Sequence, residues 1–179
     1  LAWFRDKVNS GAAESNAILT ADIDLGSHDW TPISPYGGSS STAGYKGTFD
    51  GNGHTVANVC AKGTELTQYG STSISGAGFF GSVAANGTVK NLTVSGQMEA
   101  VQYAGGIVAA LNGGRVEACT NRVNITAENM TNKNAFTGGV VGAMINSTSK
   151  TATVIGCKNY GTISGGTNSY LGGIVGSAS

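Results

Sequence analysis

The chain is predicted to be all-β, and more narrowly a parallel β-helix built from short stacked strands. Composition is the first reason: 29 of the 179 residues are glycine and 11% are charged, against about 7% glycine and about 25% charged in ordinary domains. A second reason is a repeated motif of two glycines, two apolar residues and a small residue. The third is that the apolar pieces between its copies are short, rich in Val and Ile, and alternate like strands rather than helices.

The N-terminal segment is the exception to this pattern. Leu1, Phe4 and Val8 are spaced at i, i+3 and i+7 and are followed by Gly11, which indicates a short helix that ends there. Stacked repeats need an atypical end that covers the core and the unpaired strand edges. Residues 1–16 are therefore predicted to form a helical cap and a linker.

Residues 17–60 are predicted to form the first, atypical coil or coils. The stretch AILTADIDLG alternates apolar and polar residues and predicts a strand. Asp50-Gly51-Asn52-Gly53 is a strong turn signal between Phe49 and Val56.

Residues 61–179 are predicted to be regular repeats. The glycine motif continues from Gly78, Gly106, Gly139 and Gly173, at steps of 28, 33 and 34 residues, a period typical of solenoids. Three apolar pieces per repeat predict about three short strands per coil in a single domain, 1–179. Because the chain starts without Met and stops just after a copy of the motif, we expect a piece of a longer protein whose repeats continue.

In such a stack, equivalent residues of successive coils lie above each other at about 4.8 Å. The motif glycines are expected at corners, often with positive φ. The cysteines of one row are expected to be stacked free thiols, because adjacent parallel strands give poor disulfide geometry. Alignment of the repeats predicts two rows: Val59, Leu92, Cys119 and Cys157; and Phe80, Val108, Val141 and Val175.

The segments LTADIDLGSHDWTPI, YKGTFDGNGHTVANV, GFFGSV, GTVKNLTVSGQ and GGIVG resemble the GLUG-repeat family over nearly the whole chain. That family occurs in secreted or wall-attached bacterial proteins, among them adhesin-like proteins and some IgA-specific metalloproteases. The resemblance implies a right-handed β-helix and an extracellular or cell-surface location. It implies no reaction, and the chain has no His-Glu-x-x-His motif of a metalloprotease.

Groups that could perform chemistry are sparse. Asp22 and Asp24 lie two apart on a predicted strand, and solvent-facing strand residues are the favoured interpretation over a catalytic pair. His54 could pair with Asp50. We therefore expect no catalytic residue, no cofactor and no metal. A net charge of zero argues against nucleic acid as a partner, and the lack of a long apolar run argues against membrane insertion.

The candidate ligand contacts are aromatic residues that could stack on sugars, although packing in the core or cap is the favoured interpretation of the tryptophan. Loops at 34–44 and 63–76 are further candidates. The candidate contacts are Trp30, Tyr36, Tyr45 and Tyr69.

These observations predict a non-catalytic structural or adhesive module of a bacterial surface or secreted protein. It would project other domains or bind host or matrix glycans or proteins. The alternatives are a β-helix enzyme acting on polysaccharides, or an accessory domain of a secreted protease. Self-association through the open C-terminal coil is a further expectation, because that coil would present unpaired strand edges.

Overall fold

A computed structural model describes residues 1–36, 44–63, 65–68, 71–74, 76–100, 102–128, 134–146 and 150–179. This part of the chain is mostly β-strand, arranged chiefly in parallel sheets, with one short helix, α1 (Ala2–Asn9), at its N-terminal end. Phe4 and Val8 of α1 are buried, as their spacing predicts. The strand-rich class and the N-terminal helix are thus confirmed.

The strands fall into an irregular N-terminal set and a regular set that follows it. The first set comprises β1 (Ala17–Ile18), β2 (Ile23–Asp24), β3 (Thr48–Asp50), β4 (Thr55–Lys62), β5 (Glu65–Gln68), β6 (Ser71–Ile74), β7 (Gly76–Ala77) and β8 (Phe80–Ala84). The second comprises β9 (Thr88–Lys90), β10 (Thr93–Ala100), β11 (Tyr103–Gly105), β12 (Val108–Asn112), β13 (Arg115–Glu117), β14 (Thr120–Ala127), β15 (Ala135–Gly138), β16 (Val141–Ile145), β17 (Thr153–Ile155), β18 (Lys158–Asn159), β19 (Ile163–Gly165), β20 (Ser169–Gly172) and β21 (Val175–Ala178).

Four parallel sheets hold nearly all of these strands. Sheet I has the order β1-β3-β9-β13-β17, and sheet II the order β18-β14-β10-β4-β2, with β19 also on β14. Sheet III is β20-β15-β11-β7 and sheet IV is β21-β16-β12-β8, while β5 and β6 form a separate antiparallel pair. Each regular repeat thus supplies a strand to each of four sheets. The prediction of about three strands per coil is too low, because the double-glycine motif separates two strands.

The register of sheet IV agrees with one predicted row. Val108 pairs with Phe80 on one side and with Val141 on the other, and Val141 pairs with Val175. Phe80, Val108 and Val141 are fully buried. Ile33 extends the row through a bridge to Phe80.

The other predicted row is wrong at Val59. Leu92, Cys119 and Cys157 are equivalent, since each immediately precedes one of the paired residues Thr93, Thr120 and Lys158. Val59 instead pairs with Gly96, beyond a register shift.

The physical reason for this shift lies in β4. Between Val56, which pairs with Val94, and Val59, which pairs with Gly96, β4 has one residue more than β10. Asn58 takes up the difference with a φ of 57°, a left-handed conformation that asparagine tolerates better than most residues. Alignment by residue type therefore placed Val59 in the wrong row.

The doubled glycines do not serve as positive-φ corners: none of the pairs at 105–106, 138–139 and 172–173 has φ in that region. Their role is to permit close approach. A Cβ on Gly106 would collide with the amide oxygen of Asn121, and one on Gly139 with the amide of Asn159.

Asn121 is the reason for this close approach in the first repeat. It is fully buried, accepts a hydrogen bond from Val123 N at 2.9 Å and donates to Asn159 Oδ1 at 2.8 Å. The glycine at the corner leaves room for this inward-pointing amide.

Candidate functional site

Trp30 and Tyr45 are core residues. Packing in the core was the favoured interpretation of Trp30, and burial removes both residues from the candidate ligand contacts. Trp30 is 6% exposed, stacks on Phe79 with a ring-centroid distance of 5.3 Å, and donates its indole N–H to Phe79 O at 3.1 Å. Tyr45 is fully buried and donates its hydroxyl to Ser15 O at 2.7 Å. Burial raises the pKa of the Tyr45 phenol far above its usual range, because the charged form would lose its hydration. Neither ring is accessible to a sugar.

Of the two remaining candidates, Tyr69 lies outside the described residues, and Tyr36 is half-buried. The ring of Tyr36 packs edge-to-face against Tyr103, with the centroids 5.3 Å apart. Parts of the two predicted functional loops also lie outside the described residues, at 37–43, 64, 69–70 and 75. Of the four predicted ligand contacts, Tyr36 is therefore the one that is both described and partly exposed.

Tyr36 belongs to a line of aromatic rings on sheet III, here named the aromatic row: Tyr36, Tyr103, Phe136 and Tyr170. The register pairs Tyr103 with Phe136 and Phe136 with Tyr170. The centroid distances are 5.7 and 5.2 Å, and the rings are nearly parallel, at 15° and 16°. Gly76 occupies the next register position, and Tyr36, which lies outside the strands of sheet III, ends the row through its edge-to-face contact with Tyr103.

Sequence reasoning missed the aromatic row, although the sequence contains a signal for it. Tyr103, Phe136 and Tyr170 each stand two residues before a motif glycine, at Gly105, Gly138 and Gly172. The two predicted rows do not include this position, and the tyrosines were interpreted singly as ligand contacts.

The arrangement of the aromatic row determines what it can bind. Successive rings stack face to face, so their faces contact each other. Sugars stack on ring faces, and such faces are covered between Tyr103, Phe136 and Tyr170. Each aromatic contact of this kind contributes about 0.5–1.5 kcal/mol. The row therefore favours cohesion between repeats over ligand stacking.

Two aromatic side chains elsewhere are more accessible. Trp3 on α1 is 73% exposed, and Lys7 Nζ lies 5.2 Å from its ring centroid. Tyr160 is 62% exposed, and the guanidinium carbon of Arg122 lies 4.8 Å from its ring centroid. An exposed ring beside a cation suits a polar ligand that has an apolar face. Neither Trp3 nor Tyr160 is among the candidate ligand contacts predicted from the sequence.

The carboxylates of Asp22 and Asp24 are held by backbone and side-chain donors of neighbouring segments. Asp22 accepts a hydrogen bond from Thr55 N at 2.9 Å and lies 3.1 Å from His54 Nδ1. Asp24 accepts from Gly26 N and from the amide of Asn58, both at 2.8 Å. These hydrogen bonds lower the pKa of both carboxyls. The interpretation as solvent-facing structural residues is consistent with these contacts.

Asp50 also accepts hydrogen bonds from nearby donors. The expected pairing of Asp50 with His54 is not found, because His54 Nδ1 lies beside Asp22 instead. Asp50 Oδ1 accepts from Asn52 N at 2.8 Å and from Asn91 Nδ2 at 3.0 Å, and Lys90 Nζ lies 3.3 Å from Oδ2. The hydrogen bond from Asn91 is the main cause that lowers the Asp50 pKa.

Two further observations concern the described ranges only. No group of three or more His, Cys, Asp or Glu side chains there could hold a metal ion. No helix within the same ranges has the length and apolar character needed to cross a membrane.

Fold and site together define a strand-rich protein of stacked parallel sheets whose aromatic and amide side chains join successive repeats. No protein-family model matches the chain, and no solved structure matches it significantly. The chain is similar to Halomucin from Haloquadratum walsbyi, with 29% identity over 140 residues. That match covers 75% of this chain, but the chain spans only about 1% of the length of Halomucin.

Proposed function

We propose that this chain is a right-handed parallel β-helix that serves as a non-catalytic structural module of a surface or secreted protein. The observation that carries the proposal is the register: successive strands in all four parallel sheets come from successive repeats. Stacked repeats of this kind gain stability from each neighbour and form a stiff body suited to holding other domains apart. On this proposal α1 covers the N-terminal end of the stack.

The polar contacts support the non-catalytic part of the proposal. Asp22, Asp24 and Asp50 each accept a hydrogen bond from a backbone N–H: Asp24 and Asp50 from a residue two positions ahead, and Asp22 from Thr55. A pair of catalytic carboxylates would have to face one scissile bond.

Adhesion to a glycan or protein is the second role within the same proposal. The exposed rings of Trp3 and Tyr160, each beside a cation, are the specific observation in its favour. The chain has a net charge of zero, which favours recognition through hydrogen bonds and ring contacts over recognition of a highly charged polymer.

A surface or extracellular location belongs to the proposal as well. It is supported by the local similarity to Halomucin and by the low content of charged residues. The GLUG-repeat resemblance points in the same direction.

A deletion of one whole repeat tests the fold on which the proposal depends. Removing residues 106–138 joins Gly105 to Gly139 and preserves the phase of the stack, so the shortened chain should still unfold cooperatively. Removing residues 106–130 breaks the phase and should prevent folding. If both deletions unfold alike in circular dichroism and urea titration, the β-helix proposal fails.

An array of glycans and matrix proteins tests adhesion with the intact chain. Binding that is lost in Trp3→Ala or Tyr160→Ala, and kept in the control Ile18→Ala, would support the adhesive role. Ile18 is a suitable control because it is 59% exposed and has no ring. Absence of binding by the folded chain across the array would leave the structural role and exclude these two rings as an adhesive site.

A further inference from the structure

Two cysteine residues meet at one corner of the stack, where sheets I and II adjoin. Cys119 immediately precedes β14, and Cys157 immediately precedes β18. Lys158 N donates a hydrogen bond to Cys119 O at 2.9 Å, so the parallel pairing of the two strands extends to these residues. Both cysteines are free thiols; Cys119 is buried and Cys157 is half-buried.

Backbone carbonyl groups surround both sulfur atoms. Cys119 Sγ lies 3.3 Å from Glu117 O and 3.7 Å from Val89 O. Cys157 Sγ lies 3.5 Å from Ile155 O and 3.7 Å from Val116 O. These contacts hold the two side chains in the same orientation at equivalent places in successive repeats.

Interaction between the two neighbouring thiols makes them unequal. It raises the pKa of Cys119, whose thiol keeps its proton, and it lowers the pKa of Cys157 to about 7. Glu117 is the charged side chain that faces Cys157 and acts in the opposite direction; its carboxylate is paired with Arg115 at 2.9 Å. The more accessible sulfur is therefore also the one that forms a thiolate near neutral pH.

We propose that Cys119 and Cys157 are a redox-active pair that closes a disulfide between successive repeats when it meets a small-molecule disulfide. Cys157 is the attacking residue, because it is the more exposed. Cys119 is the resolving residue, because it is buried and stands at the equivalent place in the adjacent strand.

The chemistry is a balanced thiol–disulfide exchange with oxidised glutathione as the oxidant. The Cys157 thiolate attacks one glutathione sulfur, which forms a mixed disulfide and releases one glutathione thiolate. Cys119 then loses its proton and attacks the Cys157 sulfur. This step forms the Cys119–Cys157 bond and releases the second glutathione, so the protein loses two electrons and two protons while the oxidant is reduced to two thiols.

The spacing of parallel strands permits this bond but strains it. Adjacent strands lie about 4.7–4.9 Å apart, inside the range of about 4.4–6.8 Å between the Cα atoms of disulfide-bonded cysteines. Side chains in register point the same way, and a disulfide prefers Cβ atoms about 3.5–4.5 Å apart. The poor geometry expected from the sequence therefore makes the bond easily reduced, which suits a reversible link rather than a permanent one.

The test uses the full chain carrying Cys60→Ser, so that only this pair can react. After incubation with oxidised glutathione, intact mass spectrometry should show a chain that has lost two hydrogens and carries no glutathione. Adding Cys119→Ser should leave one glutathione on Cys157. Adding Cys157→Ser should slow the reaction of the remaining thiol at least about tenfold, since Cys119 is buried.

Alkylation rates give a second measurement that folding defects would not mimic. The rate at Cys157 should show an inflection near pH 7, and Cys119→Ala should move that inflection upward, because it removes the neighbouring thiol and supplies no other donor. Circular dichroism establishes that each variant is folded. A glutathione adduct that persists on Cys157 while Cys119 is intact, or equal reactivity of Cys119 in the Cys157→Ser chain, would overturn the proposal.

Discussion

The irregular N-terminal region, residues 1–84, and the regular repeats that follow it bury their cores in different ways. The core of the first region contains large aromatic rings from positions far apart in the sequence. The centroid of the Phe49 ring lies 5.7 Å from that of Phe4, 5.8 Å from that of Phe79 and 5.4 Å from that of Phe80. The repeats use single aliphatic residues in register, such as Val116 between Val89 and Val154.

The difference teaches how the two regions tolerate irregular backbone. In the repeats, one place is left-handed in each successive repeat: Asn91, Ala118 and Gly156 have φ of 51°, 49° and 63°. Other positive-φ residues of the repeats, such as Gly96, do not recur in this way. In the first region such residues occur at unrelated places, among them Ser27 and Asn58. A regular stack reuses one corner, whereas the first region joins its pieces by side chains suited to each place.

The largest expected effect comes from one row that crosses both regions. Phe80→Ala removes a ring that contacts Tyr45, Phe49 and Phe79, and should cost about 3–5 kcal/mol in the free energy of unfolding. Val141→Ala, in the same row within the repeats, removes less and should cost about 1–3 kcal/mol. Urea unfolding measures both. Equal losses would show that the aromatic cluster adds nothing beyond row packing.

A smaller effect is expected at the corner shared by Gly106 and Asn121. Asn121→Ala should destabilise the chain by about 1–3 kcal/mol, because it leaves the buried Val123 N–H without its acceptor. Gly106→Ala should cost about 1–3 kcal/mol through collision with the amide of Asn121.

The double variant measures whether the two residues depend on each other. Without the Asn121 amide the new methyl group of Gly106→Ala has more room, so the combined loss should fall short of the sum by about 0.5–3 kcal/mol. Some cost should remain, because the new Cβ would also lie 2.8 Å from Gly139 O. Strict additivity would contradict the role assigned to the corner glycine.

The pH dependence of stability tests a contact that joins the two regions. Asp50 of β3 accepts a hydrogen bond from Asn91, and its pKa in the folded chain lies below the ordinary 3.8. Its stabilisation is therefore present above about pH 4 and is lost as the pH falls through the folded pKa. The urea midpoint should fall between about pH 5 and pH 2, and less steeply in Asp50→Asn. If the urea midpoint falls equally steeply with pH in both chains, the contact between Asp50 and Asn91 does not stabilise the link between the two regions.

The smallest effect is expected for the exposed pair Lys62 and Glu99, which joins β4 to β10 with 3.2 Å between Nζ and Oε2. Both side chains are more than half exposed, so solvent screens the attraction. Lys62→Ala should change the urea midpoint by no more than the error of the measurement, at low salt and at about 1 M salt alike. A large, salt-sensitive loss would show that surface charge sets the register between the regions.

Much of the fold could be predicted from residue patterns. The spacing of Phe4 and Val8 gave the helix, and the repeat alignment gave the row through Phe80 and Val108, because both are local or strictly periodic. Val59 could not be placed, because the additional residue at Asn58 shifts the register without altering the residue types. The candidate site was harder: burial was the favoured interpretation of Trp30, but nothing local in the sequence separates a buried tyrosine such as Tyr45 from an exposed one.

The sequence by itself determined the strand-rich class, the N-terminal helix and the period of the repeats, because alternation and spacing act within a few residues of the chain. The tertiary structure decided which residue of one repeat meets which residue of the next. It decided that Gly106 makes room for Asn121, and that Tyr36 completes a row begun by Tyr103. Contacts between repeats depend on the backbone angles at each corner. A residue pattern indicates where a corner lies but does not give those angles.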